Sequence, residues 1–165
     1  MVTNVVIAGL GGQGVLKASD ILADAVFSAG FDVKKSEVHG MAQRGGSVCS
    51  EVRFGSEVLS PMITPGEADY LIILAADQIE FWLHMPGPEG VIITPESVDA
   101  KRLPAKRSLN VALLGCLSLH LDVPLEFWMA SLRRNFDEKF FEDNKRAFEL
   151  GRLPLKQPFT VKAKL

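Results

Sequence analysis

Val5-Val6-Ile7-Ala8-Gly9-Leu10-Gly11-Gly12-Gln13-Gly14-Val15 runs from a short apolar stretch straight into a cluster of glycines. Asn4 to Ala8 reads as a buried strand, being apolar, β-branched and ended by glycine. From Gly14 to Ala29 the period changes: Val15, Ala18, Ile21, Leu22, Ala25 and Val26 recur at helical spacing, and Gly30 is a helix stop. A second strand is expected over Asp32 to Val38. Strand, glycine turn, helix and strand make a βαβ unit, which predicts a parallel sheet.

The turn carries G-x-G-x-x-G as Gly9, Gly11 and Gly14, with Gly12 and Gln13 inside it. Glycines permit positive φ and close backbone approach, and a following helix offers free N–H groups and the positive end of its dipole. Two readings stand: the turn holds an anion, or its glycines only let strand and helix pack tightly. A dinucleotide reading wants an acid about 20 residues on, at the end of the second strand. Asp32 falls at the start of that strand and Glu37 nearer its end. Gln13 is unusual there, since its amide can point across the loop.

Gly40-Met41-Ala42-Gln43-Arg44-Gly45-Gly46-Ser47 follows the second strand. It is expected beside the glycine turn, outside the carboxyl ends of parallel strands, where open α/β sheets bind ligands. Arg44 offers a fork of donors suited to a carboxylate or phosphate, and Gly45 and Gly46 let the backbone turn and expose its amides. A solvated or ion-paired arginine is the plainer reading. His39, one step earlier, titrates near neutral pH, though a lone histidine more often simply hydrogen-bonds. The candidate binding residues are thus Gly9, Gly11, Gly12, Gln13 and Gly14, with Gln43, Arg44, Gly45, Gly46 and Ser47.

Beyond this loop, Ser47 to Phe54 alternates, with Val48, Val52 and Phe54 on one face and Glu51 and Arg53 on a wet one. Gly55-Ser56 reads as a turn into Glu57 to Leu59, an antiparallel hairpin that makes the sheet mixed. Strands are expected at Tyr70 to Ala75 and Gly90 to Thr94, with Pro86-Gly87-Pro88 as a breaker after a helix at Asp77 to Leu83. Three more helices are expected: Leu109 to Leu121, Leu125 to Arg133, and Asp137 to Leu150 ending at Gly151. The fold class is α/β, a single Rossmann-like domain over residues 1–152. Its sheet is mostly parallel but mixed, with helices on both faces, and residues 153–165 form a C-terminal tail.

The chain of 165 residues suits one domain, and 47% apolar content supplies a core. A net charge of -2 argues against a nucleic-acid protein and gives no reason for attraction to an anionic membrane. Cys49 and Cys116 form no C-x-x-C pair and read as packed thiols. His39, His84 and His120 are isolated, so no metal spacing is present, and neither a G-x-S-x-G elbow nor a Walker A lysine occurs. No catalytic residue is assigned. The absence of a basic leader or a long apolar run predicts a cytoplasmic protein. Met41, Phe81 and Trp82 are candidates for an exposed apolar face, or else for ordinary core.

Taken in order, Gly9-x-Gly11-Gly12-Gln13-Gly14, Gln43-Arg44-Gly45-Gly46-Ser47 and Val52-Arg53-Phe54 resemble the gamma-type domain of the 2-oxoacid:ferredoxin oxidoreductases. The resemblance continues through Ser60-Pro61, Ala68-Asp69-Tyr70, Asn110-Val111-Ala112-Leu113-Leu114-Gly115 and Asn144-Lys145-Arg146-Ala147-Phe148-x-x-Gly151. That family includes pyruvate, 2-oxoglutarate, 2-oxoisovalerate and indolepyruvate enzymes. It implies oxidative decarboxylation of a 2-oxoacid to an acyl-CoA, with electrons passed to ferredoxin. Thiamine diphosphate and iron–sulfur clusters are implied in partner subunits, so this chain would carry no cofactor alone and would meet coenzyme A at most by contact. A hetero-oligomer is implied, with self-pairing of the isolated chain left open. A stand-alone dinucleotide-binding module and a purely structural scaffold subunit are the alternatives.

Overall fold

The computed structural model describes residues 1–39 and 46–153. The opening stretch folds as read. Strand β1 (Val2–Leu10) leads through the glycine turn into helix α1 (Val15–Ser28), which Gly30 ends at φ +95°. Strand β2 (Asp32–His39) follows, then β3 (Ser47–Gly55), β4 (Ala68–Ile73) and β5 (Pro86–Ile93). A one-turn helix α2 (Ile79–Trp82) stands between β4 and β5, and α3 (Leu109–Ser118), α4 (Leu125–Asn135) and α5 (Glu138–Gly151) complete the chain.

The sheet order is β2-β3-β1-β4-β5. β1, β4 and β5 pair in parallel, while β3 runs antiparallel to both β1 and β2. Four strands therefore point one way, and the sheet is mixed and mostly parallel, as expected. The expected reason for the mixing was wrong. Residues 57–59 form no strand, and β3 is itself the antiparallel element, wedged between β1 and β2. It is buried there on both faces, with Val52 and Phe54 in one core and Cys49 and Glu51 on the other side.

Residues 56–67 instead make a strap across one face of the sheet. Asp32 Oδ2 accepts from Val58 N at 2.7 Å, Glu51 Oε2 accepts from Ile63 N at 3.0 Å, and Arg53 Nη1 donates to Ser60 O and Met62 O at 2.9 and 3.0 Å. The face read as wet is therefore covered, and Glu51 is buried. A polar strand face can be buried when each charged group meets a backbone partner.

Cover over the two faces is unequal. α1 and α3 lie on the face carrying Val5, Ile7, Val52, Ile72 and Ile93, with α4 packed on α1 and α5 on α3. The opposite face, with Val6, Ala8, Leu71, Ile73 and Ile92, is closed by the strap's Ile63 and by Ile79 and Trp82 of the short α2. Phe81 on α2 is exposed, as are Leu59 and Met62 on the strap. Of the apolar residues expected outside, Phe81 is there, Trp82 is partly buried against this second core, and Met41 lies outside the described residues.

Pro86-Gly87-Pro88, read as a breaker, opens β5. Proline is tolerated because β5 is an edge strand, whose outward N–H has no ladder partner to lose. α3 stops at Ser118, three residues short of expectation. All residues from Asn110 to Ser118 are buried, and Gly115 lets α5 cross at backbone contact. A Cβ there would overlap Phe148 O, and one at Gly151 would overlap Ala112 O. Among the described residues no helix is long and apolar enough to cross a membrane.

Candidate functional site

The glycine turn sits at the carboxyl end of β1. Gly9 is tightly enclosed: an added Cβ would lie 2.9 Å from Leu74 Cβ and 2.7 Å from Gln13 Oε1. Gln13 bends back across the loop, accepting from Leu10 N at 2.7 Å, while its own N–H donates to Leu10 O at 3.2 Å. This is the cross-loop amide the sequence suggested. Gly12 and Gly14 adopt φ +86° and +82°, a region that side chains other than glycine enter at a cost. Gly14 caps α1, its carbonyl taking the first helical bond from Ala18 N at 3.0 Å. No side chain caps the helix and no acid occupies its first turn, so its first N–H groups remain available.

The second loop reaches the turn through its described end. Gly11 N donates to Gly46 O at 2.9 Å, and Ser47 stands opposite Leu10 in the ladder. Gly9, Gly11, Gly12, Gln13, Gly14, Gly46 and Ser47 thus form one cluster at one end of the sheet. Among the described residues the buried Ser47 Oγ has no hydrogen-bond partner. Gln43, Arg44 and Gly45, with the His39 side chain, lie outside the described residues.

The dinucleotide reading meets a geometric obstacle. With β3 between them, β1 and β2 stand two strand spacings apart, roughly 9–10 Å. Glu37 is carried away from the turn and pairs with Lys35 Nζ at 2.7 Å. Asp32 lies at the far end of β2, where the Val58 N–H and then Lys34 hold its carboxyl below the usual carboxylate range. Burial pulls Lys35 down, but its hydrogen bonds to Asp20 and Glu37 outweigh this and raise it overall. Neither acid faces a ribose at the turn.

Residues from distant sequence complete the site, and periodicity could not have found them. A cavity of ≈ 330 Å³ opens beside Gly12 and Gly14, walled by Lys17 of α1, Arg107, and Phe136 and Phe140 from the α4–α5 corner. Asn110 and Asn144 form its buried floor. Asn110 Nδ2 donates to Gly14 O at 3.1 Å, and Asn144 Nδ2 to Phe140 O at 2.9 Å. A smaller hollow of ≈ 260 Å³ adjoins across the turn, reaching Lys106 and Leu74 and sharing Arg107. The usable signal was the pair of late motifs: Asn110…Gly115 and Asn144…Gly151 meet in space, asparagines at the cavity and glycines at the helix crossing.

The thiols do not fit an iron–sulfur cluster. Cys49 and Cys116 belong to the cores on opposite faces of the sheet. Burial, then the Glu51 carboxylate, pushes Cys49 up to about 12, and burial pushes Cys116 up to about 11. Among the described residues no three His, Cys, Asp or Glu side chains gather to hold a metal ion.

Fold and site together define an α/β domain with a split βαβ unit and a ligand-type turn at the carboxyl end of its parallel strands, without metal-cluster donors among its described residues. Residues 4–153 match the family described as pyruvate ferredoxin/flavodoxin oxidoreductase, and the chain belongs to that family. It is similar to indolepyruvate oxidoreductase subunit IorB of Thermococcus kodakarensis, 33% identical over 190 aligned positions that cover 90% of this chain and 93% of that one. Its fold resembles the keto/oxoacid ferredoxin oxidoreductase gamma subunit of Geobacter sulfurreducens, with a TM-score of 0.68 at 23% identity over 92% of this chain and 94% of that one. It also resembles part of the 2-oxoglutarate:ferredoxin oxidoreductase of Magnetococcus marinus, solved with 2-oxoglutarate, coenzyme A and succinyl-CoA bound. There the TM-score is 0.79 at 21% identity, over 97% of this chain and 33% of that longer chain.

Proposed function

We propose that this chain is the gamma-type subunit of a 2-oxoacid:ferredoxin oxidoreductase. In this reading, partner subunits hold thiamine diphosphate and the iron–sulfur clusters, and the glycine-turn end of this domain faces them. The complex converts a 2-oxoacid and coenzyme A to acyl-CoA and carbon dioxide, delivering two electrons to ferredoxin. The observation that carries the reading is the joined cluster of Gly9 to Gly14 with Gly46 and Ser47 in a chain that matches the family over residues 4–153. An indolepyruvate-type substrate is favoured by the relative that matches nine-tenths of both chains. Coenzyme A, bound in the complex that shares this fold, is the anionic ligand proposed to touch the turn and Arg44.

The test is to express the chain with the large subunits encoded beside it. Copurification is expected, with brown iron–sulfur absorbance and ferredoxin-dependent oxidation of indolepyruvate, compared against pyruvate and 2-oxoglutarate. Oxidation of any 2-oxoacid by the lone chain, or full activity of the large subunits without it, would overturn the reading. Arg44→Ala in the assembled complex is expected to raise the apparent Michaelis constant for coenzyme A; normal assembly with an unchanged constant removes the ligand role.

A further inference from the structure

One face of the sheet lacks the layer that the other has. Parallel strands are usually covered by helices on both sides. Here the helix joining β4 to β5, α2, is a single turn of four residues, and the strap supplies the rest of the cover. That cover turns apolar side chains outward: Leu59 is 87% exposed, Met62 61% and Phe81 62%. Trp82 Nε1 is buried there with no hydrogen-bond partner among the described residues. We propose that this chain's own residues 154–165 dock in extended form on the apolar face made by the strap and α2, with their lysines on its acidic surround. These residues lie beyond the family match, so the inference stands apart from the subunit role.

Charge names the occupant. From residue 54 to residue 100 the sequence holds eight aspartates and glutamates and no lysine or arginine. Glu57 and Glu67 on the strap, and Asp77 and Glu80 at α2, are exposed. A second copy of this face would bring the same acids to it, and like charges oppose that pairing. Residues 154–165 have the opposite character, with Lys156, Lys162 and Lys164 and no acid. Within them Phe159, Val161, Ala163 and Leu165 alternate with Thr160, Lys162 and Lys164, the period of an extended segment with one apolar side. The apolar side matches Leu59, Met62 and Phe81, and lysine stems are long enough to carry their charge sideways to the carboxylates. Backbone carbonyls of an extended segment are also the kind of acceptor that Trp82 Nε1 lacks.

The described chain ends in a suitable place. Arg152 Nη1 donates to Ser118 Oγ at 2.6 Å, two residues before His120, whose carbonyl accepts from Tyr70 Oη at 3.2 Å. Tyr70 lines a hollow of ≈ 560 Å³ beside the edge strand β5, walled by Glu67 at the end of the strap and by Asp69 and Glu89. Residues 154–165, fully extended, reach about 40 Å, roughly the width of a domain of this size. That is enough to round β5 through the acidic hollow and arrive on the strap. The exposed side chains of the face fall short of the about 800 Å² per partner that a stable subunit interface buries, so a single peptide segment fits them better than a whole domain.

Carbodiimide crosslinking of the full-length chain, which joins amines to carboxylates in contact, tests the placement. Links from Lys156, Lys162 or Lys164 to Glu57, Glu67, Asp77, Glu80 or Glu89 are expected in the monomer fraction. No such link overturns the proposal, and links confined to a dimer fraction overturn it in favour of a second copy's tail. Hydrogen exchange read by mass spectrometry tests the docking itself. Reversing the tail charges together (Lys156→Glu, Lys162→Glu and Lys164→Glu) should speed exchange of the strap and α2 amides at least about threefold and leave α3 unchanged. Phe159→Ala should speed the same amides with no change of charge. Adding Glu57→Lys and Glu80→Lys to the charge-reversed tail should restore slow exchange, which a merely structural loss would not do. Exchange that is equal in wild type and tail variants overturns the proposal, as does a charge swap that restores nothing. Protection of the strap and α2 that arises only when the large subunits are bound overturns it in favour of a partner surface. The crosslinks and the variants are read on the chain alone, so a failure to copurify with the large subunits would remove the subunit role and leave this inference standing.

Discussion

Gly14→Ala tests the account of the turn. The substitution places a side chain at φ +82°, a left-handed conformation costing about 1–2 kcal/mol for a residue with a Cβ. It also drives that Cβ into the Asn110 amide, which now donates to Gly14 O. Displacing Asn110 forfeits a hydrogen bond worth about 0.5–1.5 kcal/mol net. The total is about 1.5–3.5 kcal/mol, and a domain of this size shifts by roughly 2–4 °C per kcal/mol. A fall in Tm of about 3–14 °C is therefore expected by differential scanning calorimetry. Gly12→Ala is the control: its φ is +86°, but no atom lies within 4 Å of the added Cβ. It should cost the conformational term alone, about 1–2 kcal/mol. In an Asn110→Ala background the collision partner is gone, so Gly14→Ala should there cost no more than Gly12→Ala does. Equal losses for Gly12→Ala and Gly14→Ala in the wild type would refute the steric argument. An undiminished Gly14→Ala penalty in the Asn110→Ala background would refute it too.

Three further outcomes follow from the packing and the titrating groups. Gly151→Ala should lower Tm more than any single surface substitution, by the equivalent of about 3 kcal/mol or more, because rigid backbone at Ala112 blocks the new methyl group; calorimetry of the purified chain reads it. Native Cys49 and Cys116 should resist iodoacetamide at pH 8 and react fully in denaturant, since burial holds both thiols far above their ordinary value and out of reach. Asp32 has a lowered folded value, so its stabilising bond to Val58 N is present at neutral pH and is lost as the pH falls below about 4 through that value. Asp32→Asn should accordingly destabilise the chain more at pH 7 than at pH 3, as measured by urea melts at the two pH values.

Much of the first half was legible in the sequence because local signals agree there. A β-branched run, a glycine cluster and a helical period each point to the same strand–turn–helix, and the structure keeps all three, with the strand extended to Val2–Leu10 and the helix set at Val15–Ser28. Gln13 could be read as crossing its own loop because its reach is three residues. The hairpin after Gly55 was misread because a turn signal says that the chain bends, not what it meets next. The strap that follows is held by Asp32, Glu51 and Arg53, whose partners lie from 7 to 26 residues away. Alternation marked Glu51 and Arg53 as outward-facing, and outward they face, but a sheet face is wet only if nothing covers it.

The sequence by itself determined the class of domain, the glycine turn, and through its ordered motifs the family. These are carried by neighbouring residues or by short patterns that need no partner in space. Tertiary structure alone decided the strand order, and with it the loss of the dinucleotide geometry, because pairing β3 between β1 and β2 is a choice among long-range hydrogen bonds that no local propensity encodes. It alone also brought Arg107, Phe136 and Asn144 to the mouth of a turn roughly 95 to 130 residues earlier in the chain. Each of those residues reads as an ordinary surface or helix position until α3, α4 and α5 stack on the sheet and close a cavity around them.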